Sequence, residues 1–559
     1  MASRASLLLI GLAACSAGVP HFPVRDPMLR DPDLAPIAYP CRPDPKHPGK
    51  EICTPETFED FMYWDLADKS VFRPTAKFFA VRPGGEAVDV NALDEVPDSS
   101  WFENRVGVRA LTEDEKRGGY CAGQELLPES PEPGSWKVDQ GKMDGVTPGF
   151  RVNVPGRGKF MLKADRLVTP LRASTAEAVG ARLYWAAGFH APCNFVHSLD
   201  PKVLTVEPGI TATTADGVKK PFDAKALESV FAQSGRGKDG RVRMGVSQWL
   251  PGRALGPFKY DGVKEDDPHD VVPHQDRREL RGGRLMAAWI GHYDVREQNS
   301  MATWMASDAA HPDSSPGWVK HWYLDFGDSL GVQTLIDDLS RRYGRAYLFS
   351  PGQIFVDFVT LGAIQHPWEK AAWPNKVFPY FSAGDFDPEA WVPGYPNPAF
   401  SRMTENDGAW MARIIARIDD DIVSAAVDAA DLPAPDALFL RDALIGRRSA
   451  ILERYLARVS PLGNVAVEGD ALCATDLAAR SGLFTGFAYD ARWGPNEADP
   501  RTSLPLHRGP EGRVCFALPR HDGRLRVQVK NGQAPGALEA FLLSEGGHWR
   551  VLGLRRPSP

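Results

Sequence analysis

Two short polar segments constrain this chain more than any other feature. In the first, DVREQN, Asn299 follows Asp294 by five positions. The second, LDFG, places Asp325 at the end of an apolar run. Carboxylate and amide oxygens are ligands that a hard divalent cation prefers, and a carboxylate can also accept a proton from a hydroxyl. A polar turn after a helix is the alternative interpretation of Asp294 and Asn299, but the Asp-Phe-Gly that follows makes it the weaker one.

A lysine and a glutamate upstream are candidates for the same site. Alternation of apolar and polar residues predicts short strands at 136–138, 150–154 and 159–163, then a helix at 175–187 that starts at a Ser174/Thr175 cap and ends at Gly188. Lys163 ends the third strand, and Glu177 lies on an apolar stripe of the helix. A carboxylate on such a stripe needs a partner when it is buried. A surface lysine and a solvated glutamate are the alternative.

The turn between the first two strands is rich in glycine. In QGKMDGVTPGF, Gly141, Gly145 and Gly149 are spaced by four residues, and Lys142 adds a positive charge. Glycines let backbone N–H groups approach a phosphate closely. The spacing matches neither of the common phosphate-binding glycine motifs, so a purely structural turn is an equally good interpretation.

The N-terminus predicts export and a lipid anchor. The segment MASRASLLLIGLAAC has an arginine, a short apolar run and an LAAC sequence of the kind that precedes a lipidated cysteine, here Cys15. A plain signal peptide or a buried N-terminal helix are the alternatives. The net charge of −7 gives no indication of a nucleic-acid partner, and no internal apolar run reaches the roughly 18 residues of a spanning helix.

The cysteine count agrees with export. Without Cys15, six of the seven cysteines remain, an even number suited to disulfides in an oxidising compartment. Local spacing favours the pairs Cys41–Cys53 and Cys473–Cys515. Six free buried thiols are the alternative.

The order of predicted elements divides the chain into six parts and indicates an α+β protein. Strands precede the DVREQN segment, helices dominate after it, and short alternating runs return after Pro461. In the helical part we expect helices near 277–291, 410–426 and 436–459. The parts are a signal peptide (1–15), a proline-rich tether (16–60), an N-terminal extension (61–134), a β-rich part (135–250), a helical part (251–460) and a small β domain (461–559).

Five stretches carry a resemblance to a known group of proteins. They are GVTPGF, KFMLK, STAEAVGARLYWAAGF, PHQDRRELRGGRLMAAWIGHYDVREQN and HWYLDFGDSLG. Over about residues 95–460, the chain resembles exported bacterial proteins whose core is similar to HipA-like kinases and, more distantly, to secretory-pathway and phosphoinositide lipid kinases. The resemblance implies a bilobal protein-kinase-like fold, with a β-rich N-lobe and a helical C-lobe, followed by the small C-terminal β domain. The glycine loop and a long insert before Asp325 depart from the family pattern.

The resemblance also implies a role for each matching residue. Lys163 would hold nucleotide phosphates with Glu177 as its partner, Asp294 would be the catalytic base, and Asn299 and Asp325 would hold the metal. The glycine-rich turn with Lys142, Gly145 and Gly149 would lie on the phosphates. The segment from Gln248 to Leu250 would match the hinge beside the adenine.

We therefore expect an exported atypical kinase that uses ATP or another nucleotide with Mg²⁺ or Mn²⁺. Its acceptor is an unknown protein, sugar or lipid. A pseudokinase scaffold, a nucleotidyltransferase and a structural envelope lipoprotein are the alternatives. Lipid on Cys15 would anchor the protein in the bacterial cell envelope, in the periplasm or at the outer membrane, with no other membrane contact.

Overall fold

The protein mixes α-helices with several β-sheets. The computed structural model describes residues 31–44, 46–56, 62–75, 85–128, 131–143, 147–214, 218–312, 315–331, 337–495, 498–532 and 536–558. Within these residues there are eleven α-helices and twenty-two strands, arranged in five sheets. No helix in the described ranges is long and apolar enough to cross a membrane.

The N-terminal region wraps other parts of the chain with little regular structure of its own. Its elements are β1 (Arg42–Pro43), β2 (Glu51–Ile52), α1 (Met62–Ala67), a π-helical turn (Asp68–Phe72) and α2 (Glu113–Gly118). The Cys41–Cys53 disulfide joins the flanks of the β1–β2 pair, as the spacing predicts. Trp101 and Phe102 are buried in the body of the protein, because the extension packs against the domain that follows it.

An eight-stranded sheet forms the next region. Its elements are β3 (Trp136–Met143), β4 (Gly149–Val154), β5 (Gly158–Ala164), α3 (Arg172–Ala187), β6 (Asn194–Leu199), β7 (Leu204–Val206), β8 (Thr211–Thr214), β9 (Lys219–Pro221), α4 (Ala224–Ala232) and β10 (Val242–Gln248). The strand order is β6-β10-β5-β4-β3-β8-β9, with β7 beside β3. The Cys121–Cys193 disulfide ties this region to the extension before it.

Two predictions for this region need correction. The long helix starts at Arg172 rather than near Thr175, and Ser174 does not cap it, because the Ser174 hydroxyl donates to Asp165 at 2.5 Å instead. Gly141 lies within β3 rather than in a turn, where a Cβ would come 2.2 Å from the Phe222 ring. Gly188 ends the helix in a left-handed conformation with φ of 119°, as predicted.

The third region pairs a small sheet with helices. Its elements are β11 (Arg253–Gly256), α5 (Arg278–Ile290), β12 (Ser300–Ala306), β13 (Gly317–Tyr323), α6 (Asp337–Arg342), α7 (Pro351–Thr360), α8 (Glu405–Ile415), α9 (Asp420–Asp428) and α10 (Ala434–Leu456). The predicted helix over 410–426 is two helices, because Asp419 leaves helical geometry and its side chain caps α9. A core that includes Trp289, Trp410 and Leu444 holds α5, α8 and α10 together.

The C-terminal region is mainly β. Its elements are β14 (Leu462–Glu468), β15 (Ala471–Asp476), α11 (Leu477–Arg480), β16 (Tyr489–Pro495), β17 (Thr502–Ser503), β18 (Leu506–Arg508), β19 (Arg513–Ala517), β20 (Gly523–Asn531), β21 (Ala537–Glu545) and β22 (His548–Arg555). Two antiparallel sheets, β14-β15-β19-β18 and β17-β16-β20-β21-β22, enclose one apolar core. The predicted Cys473–Cys515 disulfide joins β15 to β19.

Candidate functional site

Lys163 lies between two carboxylates. Its Nζ is 2.6 Å from Glu177 Oε1 and 2.7 Å from Asp325 Oδ1. Alternation along β5 explains its direction: Phe160 and Leu162 point into the core of the sheet, so Lys163 points to the opposite face. The structure therefore brings together three residues that are separated by up to 162 positions in the sequence.

Glu177 is held in place by more than the lysine. Its Oε2 accepts hydrogen bonds from Asn194 Nδ2 at 2.8 Å and from the backbone N–H of Phe326 at 3.2 Å. The helix that carries it can approach the LDFG segment closely because Gly180 has no side chain: a Cβ there would lie 2.9 Å from the ring of Phe326. Glu177 thus links β5, the start of β6 and the LDFG segment.

The backbone of Asp325 has a left-handed conformation, with φ of 54° and ψ of 66°. This conformation is uncommon outside glycine, and Asp tolerates it better than most residues. Asp325 precedes a short 3₁₀ turn (Phe326–Asp328), and Arg172 Nη1 donates to the carbonyl of Gly327 at 2.9 Å. The turn is therefore fixed from α3, and the carboxylate of Asp325, 41% exposed, faces outward.

Asp294 and Asn299 form a second pair beside the first. Asn299 Nδ2 lies 2.8 Å from Asp294 Oδ2 and 2.8 Å from the Asp294 carbonyl oxygen. Arg296 Nε lies 2.9 Å from Asp294 Oδ1. The loop closes on itself through a short 3₁₀ turn (Glu297–Asn299) after α5. Because the Asn299 amide nitrogen is used inside the loop, its amide oxygen is left for another partner.

The electrostatic environment shifts the pKa values of Asp294 and Asp325 in opposite directions. Burial, with smaller contributions from Asp328 and Asp325, raises the pKa of Asp294 to about 7 against the opposing effect of Arg296. Burial acts to raise the pKa of Asp325 too, but the charges of Lys163 and Lys142 outweigh it, and the pKa is lowered. One carboxylate therefore stays charged, and the other exchanges a proton near neutral pH.

The charge on Lys163 is equally well defined. Burial acts to lower the pKa of Lys163, but Asp325 and Glu177 outweigh it, and the pKa is raised.

Burial lowers the pKa of His292 to about 4, so this histidine is neutral at physiological pH, and its Nδ1 lies 3.2 Å from the Tyr184 hydroxyl. His292 thus packs behind the site as an uncharged residue.

A cavity of about 260 Å³ lies against these residues. Of the predicted site residues, those that line it are Lys142, Lys163, Glu177, Gln248, Leu250, Asn299 and Asp325. Its apolar lining includes Met161, Met301 and Leu324. It lies where the end of β10 meets the β11–β12 sheet, so one wall is polar and charged and the other can take a flat apolar group.

Of the predicted site residues that the structure describes, Asp294 and Gly149 do not line this cavity. Gly149 pairs with Lys163 across β4 and β5, does not line the cavity, and lacks room for a Cβ, which would lie 2.4 Å from the Leu162 carbonyl oxygen. The missing side chain therefore allows β4 to pack closely on β5, and contact of Gly149 with a phosphate stays a prediction. Gly145 and Cys15 lie outside the described residues.

The sequence interpretation missed three residues that shape the site. They are Asn194, Arg296 and Arg172, through the contacts given above. Arg296 could have been found, because it lies inside the DVREQN segment. Asn194 and Arg172 carry no local signal, since their partners are distant in the sequence.

Comparison with known proteins gives few matches. No family model and no curated protein matches the chain. Two solved structures do. The Helicobacter pylori proinflammatory kinase CtkA is 12% identical, with a TM-score of 0.28 over 59% of this chain and 96% of that chain. The twitchin kinase region of C. elegans is 10% identical, with a TM-score of 0.21 over 77% of this chain and 78% of that chain. Both are kinases, and both overlaps are loose.

Proposed function

We propose that this chain is an atypical kinase that transfers a phosphoryl group from a metal-bound nucleotide to a protein, sugar or lipid hydroxyl. The observation that carries the proposal is Lys163, held between Glu177 and Asp325 on the wall of a cavity that Asn299 also lines. A strand lysine paired with a helix glutamate, opposite an Asp-Phe-Gly carboxylate, is the arrangement that protein kinases use. The eight-stranded sheet would be the N-lobe, and the region from 251 to 460 the C-lobe.

The cavity offers distinct surfaces to the two ends of a nucleotide. Met161, Leu250, Met301 and Leu324 can enclose an aromatic base, and the end of β10 lies beside them. Lys163 and Lys142 provide positive charge for phosphates at the other end. The volume, near the lower limit of about 300 Å³ for small-molecule pockets, suits the base and ribose, with the phosphates toward the open side.

The donor atoms of the site fit a hard divalent cation. The second carboxylate oxygen of Asp325 and the amide oxygen of Asn299 are oxygen donors, the type that Mg²⁺ and Mn²⁺ prefer. These two residues would hold the ion, whose charge offsets that of the nucleotide phosphates. Among the described residues, one group of three His, Cys, Asp or Glu is compact enough for a metal. It consists of Cys41, Glu51 and Cys53, and its two cysteines form a disulfide.

Asp294 is the proposed base. The acceptor hydroxyl oxygen forms a bond to the γ-phosphorus, the bond from that phosphorus to the β-γ bridging oxygen breaks, and the hydroxyl proton passes to Asp294. A pKa of about 7 suits this role, because a base is most effective when its pKa lies near the working pH. Arg296, at 2.9 Å, orients the carboxylate.

Export and lipid anchoring remain part of the proposal. Six cysteines form three disulfides, which supports an oxidising compartment and leaves Cys15 for another use. Cys15→Ser should lower the share of the protein in the membrane fraction when cells are fractionated. Loss of membrane association in a Cys53→Ser variant as well would point to misfolding rather than to lost lipidation.

Thermal unfolding with and without Mg-ATP tests nucleotide binding. A ligand that binds only the folded state at a hundredfold excess over its Kd adds about 2.7 kcal/mol of stability, so the melting temperature should rise. The rise should need the metal and disappear in Asp325→Ala. Asp522→Ala, which removes an exposed carboxylate from the C-terminal region, is the matched control and should retain it. No rise in the unaltered protein would contradict the nucleotide site.

Analysis of the products then separates the possible reactions. Incubation with ATP labelled on the γ-phosphate or on the α-phosphate shows which group is transferred. Transfer of the γ-phosphate supports a kinase, and transfer of AMP supports a nucleotidyltransferase. Nucleotide binding without either transfer, across protein, sugar and lipid acceptors, would identify a pseudokinase scaffold.

A further inference from the structure

One helix exposes its apolar side to the solvent. In α7 and the four residues after it, Phe355 is 65% exposed, Phe358 77% and Leu361 92%. We call the six exposed apolar residues of this segment the 354–364 patch: Ile354, Phe355, Phe358, Val359, Leu361 and Ile364. Positions 354, 355, 358 and 359 share one helix face, because 354/358 and 355/359 are four residues apart and 355/358 are three apart. No residue of α7 is buried.

The other face of α7 carries its polar groups. Asp357 is half-buried, and its Oδ1 lies 2.6 Å from His366 Nε2. The Thr360 hydroxyl donates to the Val356 carbonyl at 2.8 Å. A surface helix of a water-soluble domain normally turns its apolar stripe inward and its polar face outward. The reversed polarity of α7 indicates that something apolar covers the patch.

The shape requirement favours a bilayer over a second copy of the chain. A specific protein interface needs about 800 Å² on each partner, with the two surfaces shaped to match. The patch is one face of a ten-residue helix and the short loop after it. A lipid bilayer needs no matching shape, because its acyl chains conform to the side chains.

The chain that follows the patch carries exposed residues of the types found at a membrane interface. Trp373 is 45% exposed, and Lys370 and Lys376 are exposed on either side of it. Tryptophan and lysine are favoured at the level of the lipid headgroups, and phenylalanine and leucine below it. We propose that α7 lies in the plane of a lipid bilayer with the 354–364 patch inserted among the acyl chains.

The expected anchor places a bilayer within reach. Cys15 is separated from Asp31, the first described residue, by residues 16–30, which span at most about 50 Å when fully extended. Asp31 is fixed to the body of the protein by Arg277 Nη1, at 2.6 Å from its Oδ2. An inserted helix would hold the anchored protein in one orientation toward the membrane.

Vesicle flotation tests the insertion without the lipid anchor. All proteins are full-length and carry Cys15→Ser, so the N-terminus is the same in each. They are mixed with vesicles of phosphatidylethanolamine and phosphatidylglycerol, and the bound fraction is measured. Phe355→Glu/Phe358→Glu should reduce the vesicle partition coefficient roughly tenfold or more, because two charges replace two inserted rings. Leu167→Glu/Val168→Glu, a pair 63% and 66% exposed elsewhere, should leave it unchanged.

Two further measurements keep the result interpretable. Melting temperatures of the glutamate variants should match that of the parent, since the changed residues are largely exposed. A single Leu361→Asp variant, outside α7, should show a smaller loss of binding in the same direction. Equal binding of the parent and the Phe355→Glu/Phe358→Glu variant, or no binding of the parent, would overturn the proposal. A parent dimer in light scattering that this variant abolishes would assign the patch to a second copy and overturn it as well.

Discussion

Two clusters of buried charge in this protein differ in whether the protein's own cations compensate their carboxylates. The first, which we call the arginine cluster, surrounds Asp94. The carboxylate lies 2.7 Å from Arg278, 2.8 Å from Arg556 and 3.9 Å from Arg413. Burial acts to raise the pKa of Asp94, but these three arginines outweigh it, and the pKa is lowered. The cluster joins the N-terminal extension, α5, α8 and the C-terminal region, and its negative charge is fully compensated.

The second, the site cluster, leaves negative charge uncompensated. Burial is the largest influence on Glu177, Asp294 and Asp328, and the pKa of each is raised in spite of nearby cations. Asp325, the fourth carboxylate, opens to the cavity. The comparison teaches that burial of ionic groups does not by itself mark a functional site. The distinguishing property is a set of carboxylates whose charge the protein's own cations do not fully offset, with one member, Asp325, that an external cation can reach.

The largest expected effect comes from removing the centre of the arginine cluster. Asp94→Ala leaves Arg278, Arg413 and Arg556 close together without their shared carboxylate. Removing one partner of a buried ionic cluster typically costs about 3–5 kcal/mol. We expect a marked fall in the melting temperature and in the urea midpoint, with the Mg-ATP shift retained by the protein that remains folded.

A surface ion pair provides the control for this experiment. Asp490 and Arg492 lie 3.0 Å apart with side chains 47% and 49% exposed. Asp490→Ala should change stability by no more than about 1 kcal/mol. If Asp94→Ala lowered stability by no more than Asp490→Ala does, the arginine cluster would not be an important source of stability.

Removal of a carboxylate charge from the site cluster should not lower stability, in contrast to Asp94→Ala. Asp294→Asn removes a charge that its surroundings disfavour while it keeps the shape of the side chain. Stability near pH 8 should be unchanged or raised by about 1 kcal/mol, as is common where a site trades stability for activity. Turnover, measured as phosphate release from Mg-ATP with water as acceptor, should fall about a hundredfold or more.

A matched variant shows whether the charge of Asp294 is responsible. Asp98→Asn changes a carboxylate that accepts a hydrogen bond from Asn104 outside the site, and it should leave turnover unchanged. A clear loss of stability in Asp294→Asn would mean that Asp294 belongs with the structural carboxylates. Unchanged turnover would remove it as the base.

The sequence was sufficient for the parts of the site that lie close together along the chain. Asp294 and Asn299 belong to one loop, and Asp325 directly follows a strand, so local patterns identify them. Strand alternation and an apolar helix stripe make Lys163 and Glu177 candidates, and the resemblance to kinases implies that they pair. These positions depend on periodicity and turn chemistry, which a single sequence records directly.

Other features depend on contacts that a single sequence does not record. The break between α8 and α9 arises because Asp419 caps a new helix within a stretch that is apolar on both sides. Gly149 packs against a neighbouring strand, and only the register of β4 with β5 shows why no side chain fits there. Asn194 contacts Glu177 across 17 positions, without a motif that joins them.

A smaller effect on Mg-ATP affinity is expected at Asn194. It tests whether this residue belongs to the site cluster. Asn194→Ala removes the 2.8 Å hydrogen bond to Glu177 Oε2 and leaves Lys163 as the main partner of that carboxylate. The loss of one hydrogen bond to a charged group is worth about 1.5–3 kcal/mol. Because Glu177 positions Lys163, the affinity for Mg-ATP should fall about tenfold, as measured by titration calorimetry. A fall in melting temperature with unchanged affinity would place Asn194 among purely structural residues.

The smallest expected effect is a difference in pH dependence. Because the pKa of Asp94 is lowered in the folded state, its contribution to stability is present above the ordinary aspartate pKa near 4 and is lost as the pH falls below it. The gap in melting temperature between the unaltered protein and Asp94→Asn should therefore be widest near pH 6 and should narrow toward about pH 3. A gap that stays constant with pH would mean that the shape of the side chain, rather than its charge, holds the arginine cluster together. In that case, charge compensation could not be the property that separates the two clusters.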